Sequence, residues 1–526
     1  MKKAREYGIL VIVFALSISL ISWCCDKKKN RDTTNNHSAA KNFVVSFDST
    51  LVTAFYAKYP KLILYKKQVV SLYQKNNYDF IWYDKKGRKE TADVIYNKIN
   101  NLGEEGIQVK APYKEILDVL FQKTTVENNI DTELFLSNYY FFYINKTLQG
   151  IDSTKIKELE WYLPRKKQSY VGYLDSLLVN PKLIDKKEQH ISQYYKLKTV
   201  LQRYRNIEQK GGWDSIVMPS DFKSIKAGDS SDVVAKIRTR LFLTGDIVED
   251  SKKRVYGNAL QIAILKYKKR NGFSLDKTIL PKHITEMNVP VSERIKTIIV
   301  NMERCRWVST NVTKAKEFIV VNIPSYRLTY FKEGNMALVS NVVVGNTMNK
   351  TVIFSGMMSY IVFSPYWNVP TNIIKTEILP DIKKNKNYLS KHNMEWNNGN
   401  IRQKPGASNS LGLVKFLFPN TNNIYLHDTP SKSLFNSEKR AFSHGCIRVE
   451  KPVELANLIL ENDSNWTPEK IGEAMHKGKE SWYTLKDKIP VYIGYFTAWV
   501  DDDGTINFYK DIYKKDAQLA SMLMEQ

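Results

Sequence analysis

The sequence predicts a multidomain α+β protein whose helical N-terminal part precedes a mainly-β C-terminal part. Two observations carry that class. The chain has 526 residues, more than one hydrophobic core usually serves, so roughly two to four domains are expected. Near residue 316 the apolar spacing also changes, from a helical period to short runs of Val, Ile, Phe and Tyr broken by turn signals. A hydrophobic fraction of 43% with 25% charged residues fits a folded chain rather than a disordered one.

Residues 1–25 read as an export segment. Lys2, Lys3 and Arg5 precede an uncharged apolar stretch from Ile9 to Trp23, and Cys24-Cys25 with Asp26-Lys27-Lys28-Lys29 follow. The stretch is short for a spanning helix, which needs roughly 20 residues. A cysteine at that break suggests a lipoprotein signal, cleaved before Cys24 or Cys25 and lipidated there; an uncleaved anchor and an ordinary signal are the alternatives. Each predicts work outside the cytoplasm, in the cell envelope. Residues 26–43 are polar and aperiodic and read as a tether.

Residues 44–217 read as a helical scaffold. Val69, Val70, Leu72 and Tyr73 share one helical face; Leu134, Phe135, Tyr139 and Phe142 share a second, and Leu197, Val200, Leu201 and Tyr204 a third. Gly211-Gly212-Trp213 then signals a stop. No group of acid, base and nucleophile stands out in this part. Residues 220–288 read as a small helical module. Ser230 and Asp229 are placed to cap a helix carrying Val233, Val234, Ile237 and Leu241, and a second helix carries Leu260, Ala263, Ile264 and Tyr267 before Asn271-Gly272. A linking helix falls within 289–315. Its Cys305 lies between Arg304 and Arg306, but adjacent helical residues point about 100° apart, so packing is its expected role.

From 316 to 526 the chain is β-rich. Strands are expected over Glu317–Pro324, Arg327–Lys332, Leu338–Val344, Ser359–Phe363 and Asn423–His427. A polar, partly helical insertion over 371–410 interrupts them, a helix spans Pro452–Leu460, and Pro490–Val500 with Thr505–Tyr509 forms a hairpin around Asp501-Asp502-Asp503-Gly504.

The net charge of +25 suits a polyanionic partner, but Lys and Arg are dispersed and no zinc-finger or basic-zipper pattern is present, so nucleic acid is not expected. Four cysteines are too few for a disulfide framework in a chain this long.

Chemistry is concentrated around Cys446, in Ala441-Phe442-Ser443-His444-Gly445-Cys446-Ile447-Arg448-Val449, with His427 nineteen positions upstream. A thiol attacks as thiolate and needs a base or a positive environment, and a His supplies both. Gly445 permits an unusual backbone that can aim amide N–H groups at an oxyanion, and Arg448 suits a substrate carboxylate. Together these specify acyl transfer through a thioester. Two blander readings compete. Cys446 could be a core residue beside incidental histidines, although the chain has only seven histidines and two lie within twenty residues of it. His427, His444 and Cys446 could also bind zinc, although no Cys-x-x-Cys or His-Glu-x-x-His completes a familiar site. Tyr366 and Trp367, in Pro365-Tyr366-Trp367-Asn368-Val369-Pro370, form either a rigid packed turn or a wall of the substrate cleft.

Ser443-His444-Gly445-Cys446-Ile447-Arg448 with an upstream His resembles the L,D-transpeptidase catalytic domain of the YkuD type. Val321–Leu328, Val344-Gly345, Pro365–Pro370, Tyr495–Val500, Tyr204-Arg205 with Gly211-Gly212-Trp213, and Asp511-Ile512-Tyr513 are similar to its large, YcbB-type branch. The resemblance implies that Cys446 attacks the third residue of a peptidoglycan tetrapeptide stem, expelling the terminal D-alanine. His427 would take and return the proton, held by the Asp428 carbonyl. A side-chain amine of a neighbouring stem would accept the acyl group, giving a 3→3 cross-link without cofactor or metal. His444 and Ser443 would support the cleft, Arg448, Tyr366 and Trp367 would bind substrate, and a flap would cover about 371–440. The module at 220–288 resembles a peptidoglycan-binding domain, but Ile237-Arg238 and Tyr267-Lys268 replace the usual Leu-Gln and Phe-Gln. An L,D-carboxypeptidase or cross-link hydrolase using water, and a non-catalytic wall-binding protein, are the competing functions.

Overall fold

The structure is a computed structural model and describes residues 46–122, 129–165, 169–187 and 189–524. The export segment with Cys24 and Cys25, and the tether over 26–43, lie outside the described residues. Among the described residues no helix is long and apolar enough to cross a membrane.

The helical part begins with short helices around a two-residue hairpin, β1 (Tyr83–Asp84) and β2 (Gly87–Arg88). At its centre the helix Ile130–Ile144 is buried from Thr132 to Ile144 on every side, not on one face. Full burial of a Tyr-rich helix is tolerable because its polar tips find partners. Tyr139 Oη donates to the Pro112 carbonyl and Tyr140 Oη to that of Tyr170, both at 2.5 Å, while Tyr56 Oη donates to Asn138 Oδ1 at 3.0 Å.

The scaffold does not end where the sequence suggests. One core runs from Val52 to Leu177, but Ile151–Trp161 and the helix Ser192–Gln209 join the core of the β-rich part. The cause is the helix Val291–Arg306, which packs on Ser192–Gln209 and has Ile298, Met302 and Cys305 fully buried. Its buried charges are paired: Arg306 with Glu303 and Arg304 with Asp516, each at 2.7 Å. Burial pushes the Cys305 thiol well above its ordinary range despite the flanking arginines, and Cys305 is a core residue.

Residues 216–287 hold a separate small core around Val234, Ile237, Leu241, Leu260 and Ile264. Arg238 and Lys268, the residues that depart from the binding-domain pattern, are both buried. Arg238 donates to the carbonyls of Lys253 and Val255, and Lys268 pairs with Asp276 at 2.9 Å.

The C-terminal part is built on strands β3 (Glu317–Asn322), β4 (Arg327–Lys332), β5 (Asn335–Gly345), β6 (Ser355–Phe363), β7 (Trp367–Asn368), β8 (Met394–Asn397), β9 (Asn400–Gln403), β10 (Val414–Leu417), β11 (Leu426–His427), β12 (Ala441–Ser443), β13 (Ile447–Val449), β14 (Ser481–Gly494), β15 (Ala498–Val500) and β16 (Ile506–Phe508). The large sheet has the order β12-β5-β13-β11-β10-β6-β14-β3-β4, and β4 pairs back onto β5. That pairing closes the strands from β5 round to β4 into a ring, with β12 as an extra parallel strand on β5. The helix Pro452–Leu460 buries Leu455, Ala456 and Leu460 in the same core.

Two boundaries differ from the sequence reading. The insertion is narrower than 371–440: β7, β8 and β9 form their own three-stranded sheet over a small core of Val369, Ile373, Ile374, Ile378 and Ile401, whereas β10 and β11 belong to the ring. Their Val414, Phe416 and Leu426 are fully buried in the main core, which holds them there. The segment Pro490–Val500 is not one strand. Side chains take over from sheet partners at its break, where Asn322 Oδ1 accepts from Phe496 N–H (2.8 Å) and Asn301 Oδ1 from Thr497 N–H (2.9 Å).

Candidate active site

The site lies where three neighbouring strands present one row of side chains. Lys415 on β10 is the register partner of His427 on β11, and His427 is the partner of Arg448 on β13. Register partners share a face of the sheet, so the imidazole stands between two cationic side chains. Cys446 immediately precedes β13, and Tyr425 immediately precedes β11.

The cysteine loop is held by a short network. Gly445 has φ +115°, a conformation that L side chains rarely adopt, so a Gly is required there. Ser443 is buried; its Oγ donates to the Cys446 carbonyl at 2.5 Å and accepts from Gly445 N–H at 3.2 Å. The Gly445 amide is therefore engaged with Ser443 rather than aimed at an oxyanion, contrary to the expectation for this glycine. Thr351 Oγ1 donates to the Gly445 carbonyl (2.8 Å) and accepts from Gly345 N–H (2.9 Å), while Tyr513 Oη donates to the Gly345 carbonyl (2.6 Å). The loop is thus braced by residues far away in sequence.

Cys446 and His427 are both held in their neutral forms. Burial pushes the Cys446 thiol up; the Tyr425 amide and hydroxyl, then Lys415 and Arg448, pull it back without cancelling that rise. The thiol donates to the Asn423 carbonyl at 3.5 Å. His427 is buried, and burial first, then Arg448, hold its imidazole down at about 3, against the opposing pull of the Asp428 carbonyl. Nδ1 lies 2.5 Å from that carbonyl, an acceptor only, so Nδ1 carries the proton and Nε2 keeps its lone pair. The two cations favour a thiolate and oppose an imidazolium. This arrangement stabilises a thiolate on Cys446 while disposing the imidazole to give up any proton it receives.

The other expected residues fall into two groups. Asp428 supports His427: its Oδ2 accepts from Leu413 N–H at 2.9 Å, its amide donates to the Val414 carbonyl at 2.9 Å, and its Oδ1 pairs with Lys432. Arg448 is half-buried, and among the described residues its buried Nε has no hydrogen-bond partner, which leaves it donor capacity. His444 is exposed, and its Nε2 meets Glu377 Oε1 of the insertion at 2.9 Å. Among the described residues no group of three or more His, Cys, Asp and Glu side chains converges as metal ligands, and His427, His444 and Cys446 form no such site. Tyr366 lies under the Arg402 guanidinium, 4.1 Å from its ring centre, and Trp367 packs on the small core of the insertion.

Lys415 and Tyr425 escaped the sequence reading. Lys415 Nζ sits 4.1 Å above the Tyr425 ring, and both are close enough to Cys446 to interact with a thiolate there. Tyr425 was findable, since two residues before His427 in a strand it must share that face. Lys415 was not, because its place depends on pairing between β10 and β11.

Residues 316–493 match the YkuD family model, described as the L,D-transpeptidase catalytic domain, and residues 67–201 match a model described as a scaffold domain. The C-terminal part of the chain is therefore a YkuD-type L,D-transpeptidase catalytic domain. A Haemophilus influenzae protein named "Putative L,D-transpeptidase" is 36% identical over 222 residues. The match covers 38% of this chain and 45% of that protein, so the chain spans less than half of its relative. Among solved structures, an L,D-transpeptidase from Stackebrandtia nassauensis is 14% identical, covering 53% of this chain and 97% of its own at a TM-score of 0.21. One from Xylanimonas cellulosilytica is 12% identical, covering 52% and 100% at a TM-score of 0.18.

Proposed function

We propose that the chain is a peptidoglycan L,D-transpeptidase that forms 3→3 cross-links through a thioester on Cys446. The observation that supports this most directly is the placement of Cys446 and His427 at the ends of adjacent strands, with the imidazole oriented by the Asp428 carbonyl. On binding of a tetrapeptide stem, the thiol proton passes to His427 Nε2 as sulfur adds to the carbonyl of the third residue. Collapse breaks the peptide bond; His427 returns the proton to the departing D-alanine amine, and the acyl group stays on sulfur. A side-chain amine of a second stem then attacks the thioester, loses its proton through His427, and leaves the thiol restored. Lys415 and Arg448 stabilise the thiolate, and Arg448 takes a carboxylate of the substrate.

Muropeptide mass spectrometry of cells carrying the wild-type protein or Cys446→Ala tests the proposal. The 3→3 dimers are expected only with the wild type, and equal amounts in both would overturn it. Loss of terminal D-alanine without new dimers would assign water as the acceptor. On the same reading the protein works on the periplasmic side of the envelope, tethered by a lipid on Cys24 or Cys25. The mass of the mature N-terminus decides that.

A further inference from the structure

Away from the cysteine, the helical part contains a cavity of about 1050 Å³. That is at the upper end of volumes typical of ligand sites, with room for several peptide residues. One wall is the π-helical turn Asn145–Gln149, which continues the central helix Ile130–Ile144, and such turns occur frequently at functional sites.

The charge lining the cavity is one-sided. Lys61, Lys110, Lys146, Lys155, Arg165 and Arg306 face it, against Asp152 as the only carboxylate among the described lining residues. Arg306 is committed to Glu303, and Asp152 caps the helix Ser153–Glu158 by accepting from Thr154 N–H at 2.8 Å. Arg165 is half-buried with its guanidinium on the carbonyls of Gln149 and Ile151, and burial holds its pKa down. Concentrating like charge around a partly enclosed space raises the local potential and draws in an anion.

The rest of the lining narrows the chemistry. Leu64, Tyr65, Phe142 and Leu148 supply apolar wall, and Leu64 is 70% exposed at the rim. A phosphate polymer has little use for such a surface, whereas a short peptide with aliphatic and carboxylate side chains uses both. From this we propose that the cavity is a binding site for an acidic oligopeptide of a few residues, its carboxylates on Arg165 and the rim lysines and its aliphatic groups against Leu64 and Phe142. The proposal stands on the cavity's own lining and does not depend on the reaction assigned to Cys446.

Calorimetric titration of the full chain tests it with three probes: an acetylated pentapeptide alternating Glu and Leu, its Gln-for-Glu counterpart, and a short polyphosphate of similar charge. The acidic peptide is expected to bind, weakening with salt, and the Gln peptide is not. Arg165→Gln should weaken binding at least tenfold. Because Arg165 also supports the turn at Gln149 and Ile151, the exposed pair Lys110→Gln with Lys155→Gln carries the same expectation without that role, and Lys236→Gln in the small module serves as control. No binding of the acidic peptide, unchanged affinity in the lysine pair, or an equal loss in the control overturns the proposal. Tighter binding of polyphosphate than of peptide would overturn the peptide assignment and make this a phosphate-polymer site.

Discussion

His427 and Cys446, at the ends of neighbouring strands, stand as neutral imidazole and thiol, and this has a measurable consequence. With the imidazole held at about 3, His427 stays neutral across the whole neutral range. Single-turnover acylation of Cys446, followed by mass spectrometry from pH 4 to 9, should therefore rise toward alkaline pH with no inflection near 6.5. An acid limb between pH 6 and 7 would contradict the environment described here. Another residue-scale prediction concerns Gly412, which has φ +63° and faces Asp428 so closely that an added Cβ would lie 2.3 Å from its Cγ. Gly412→Ala should destabilise the protein by about 1–3 kcal/mol, as overpacking does, and slow acylation at least tenfold by displacing the carbonyl that orients His427. Unchanged melting temperature and rate would refute the coupling. At this scale Cys446 and His427 stood out in the sequence as candidates because a lone Cys beside His and Gly is chemically distinctive. Lys415 was hidden because a strand's sequence shows which face a residue takes but not which strand lies beside it.

Among the elements, the cysteine loop depends on a segment that carries no reactive group. Thr351→Val removes both the donor to the Gly445 carbonyl and the acceptor for Gly345 N–H while nearly keeping shape. Leaving two buried backbone groups unpaired should lower stability by about 1–3 kcal/mol and slow acylation, read by thermal melting and the same single-turnover assay. A neutral result would mean the loop holds its form without that brace. Strands and helices in this region were largely legible from periodicity, including Arg327–Lys332 and Pro452–Leu460 as they occur. The helix Ile130–Ile144 was read as one-faced because its Tyr, Asn and Ser look solvent-bound in sequence; only tertiary partners such as the Pro112 and Tyr170 carbonyls make them buryable. The width of the insertion was likewise misjudged, since β10 and β11 are short and join the ring only through long-range pairing.

Over the whole molecule, the small helical module reaches the catalytic part through Glu438, three residues before β12. Glu438 accepts from Ser274 N–H at 2.9 Å and pairs with Lys282 at 2.7 Å, contacts that hold its carboxyl down at about 2. Since the folded value lies below the unfolded one, near 4.5, this contact stabilises fully above pH 4.5 and is lost as pH falls toward 2. Because the pair is partly solvated, about 1 kcal/mol is at stake. Glu438→Gln should lower the melting temperature at pH 7 by a few degrees at most and flatten its fall below pH 4.5; an unaltered acid profile would place the acid sensitivity elsewhere. The domain classes were legible from the change in period near residue 316, but the sharing of the helix Ser192–Gln209 with the β-rich core was not, because it depends on which helix Val291–Arg306 meets. The closed ring also bears on the order of assembly. Ile319 and Val491 are partners across it although 172 positions apart, so the loop between them must close before that pairing forms. Until β14 has been made and threaded between β6 and β3, the ring keeps two open edges, and the row that sets the thiol against its base lacks its frame. The row around Cys446 is therefore completed late: a nascent chain carries Cys446 as an ordinary thiol and gains these neighbours only once almost its entire length is in place.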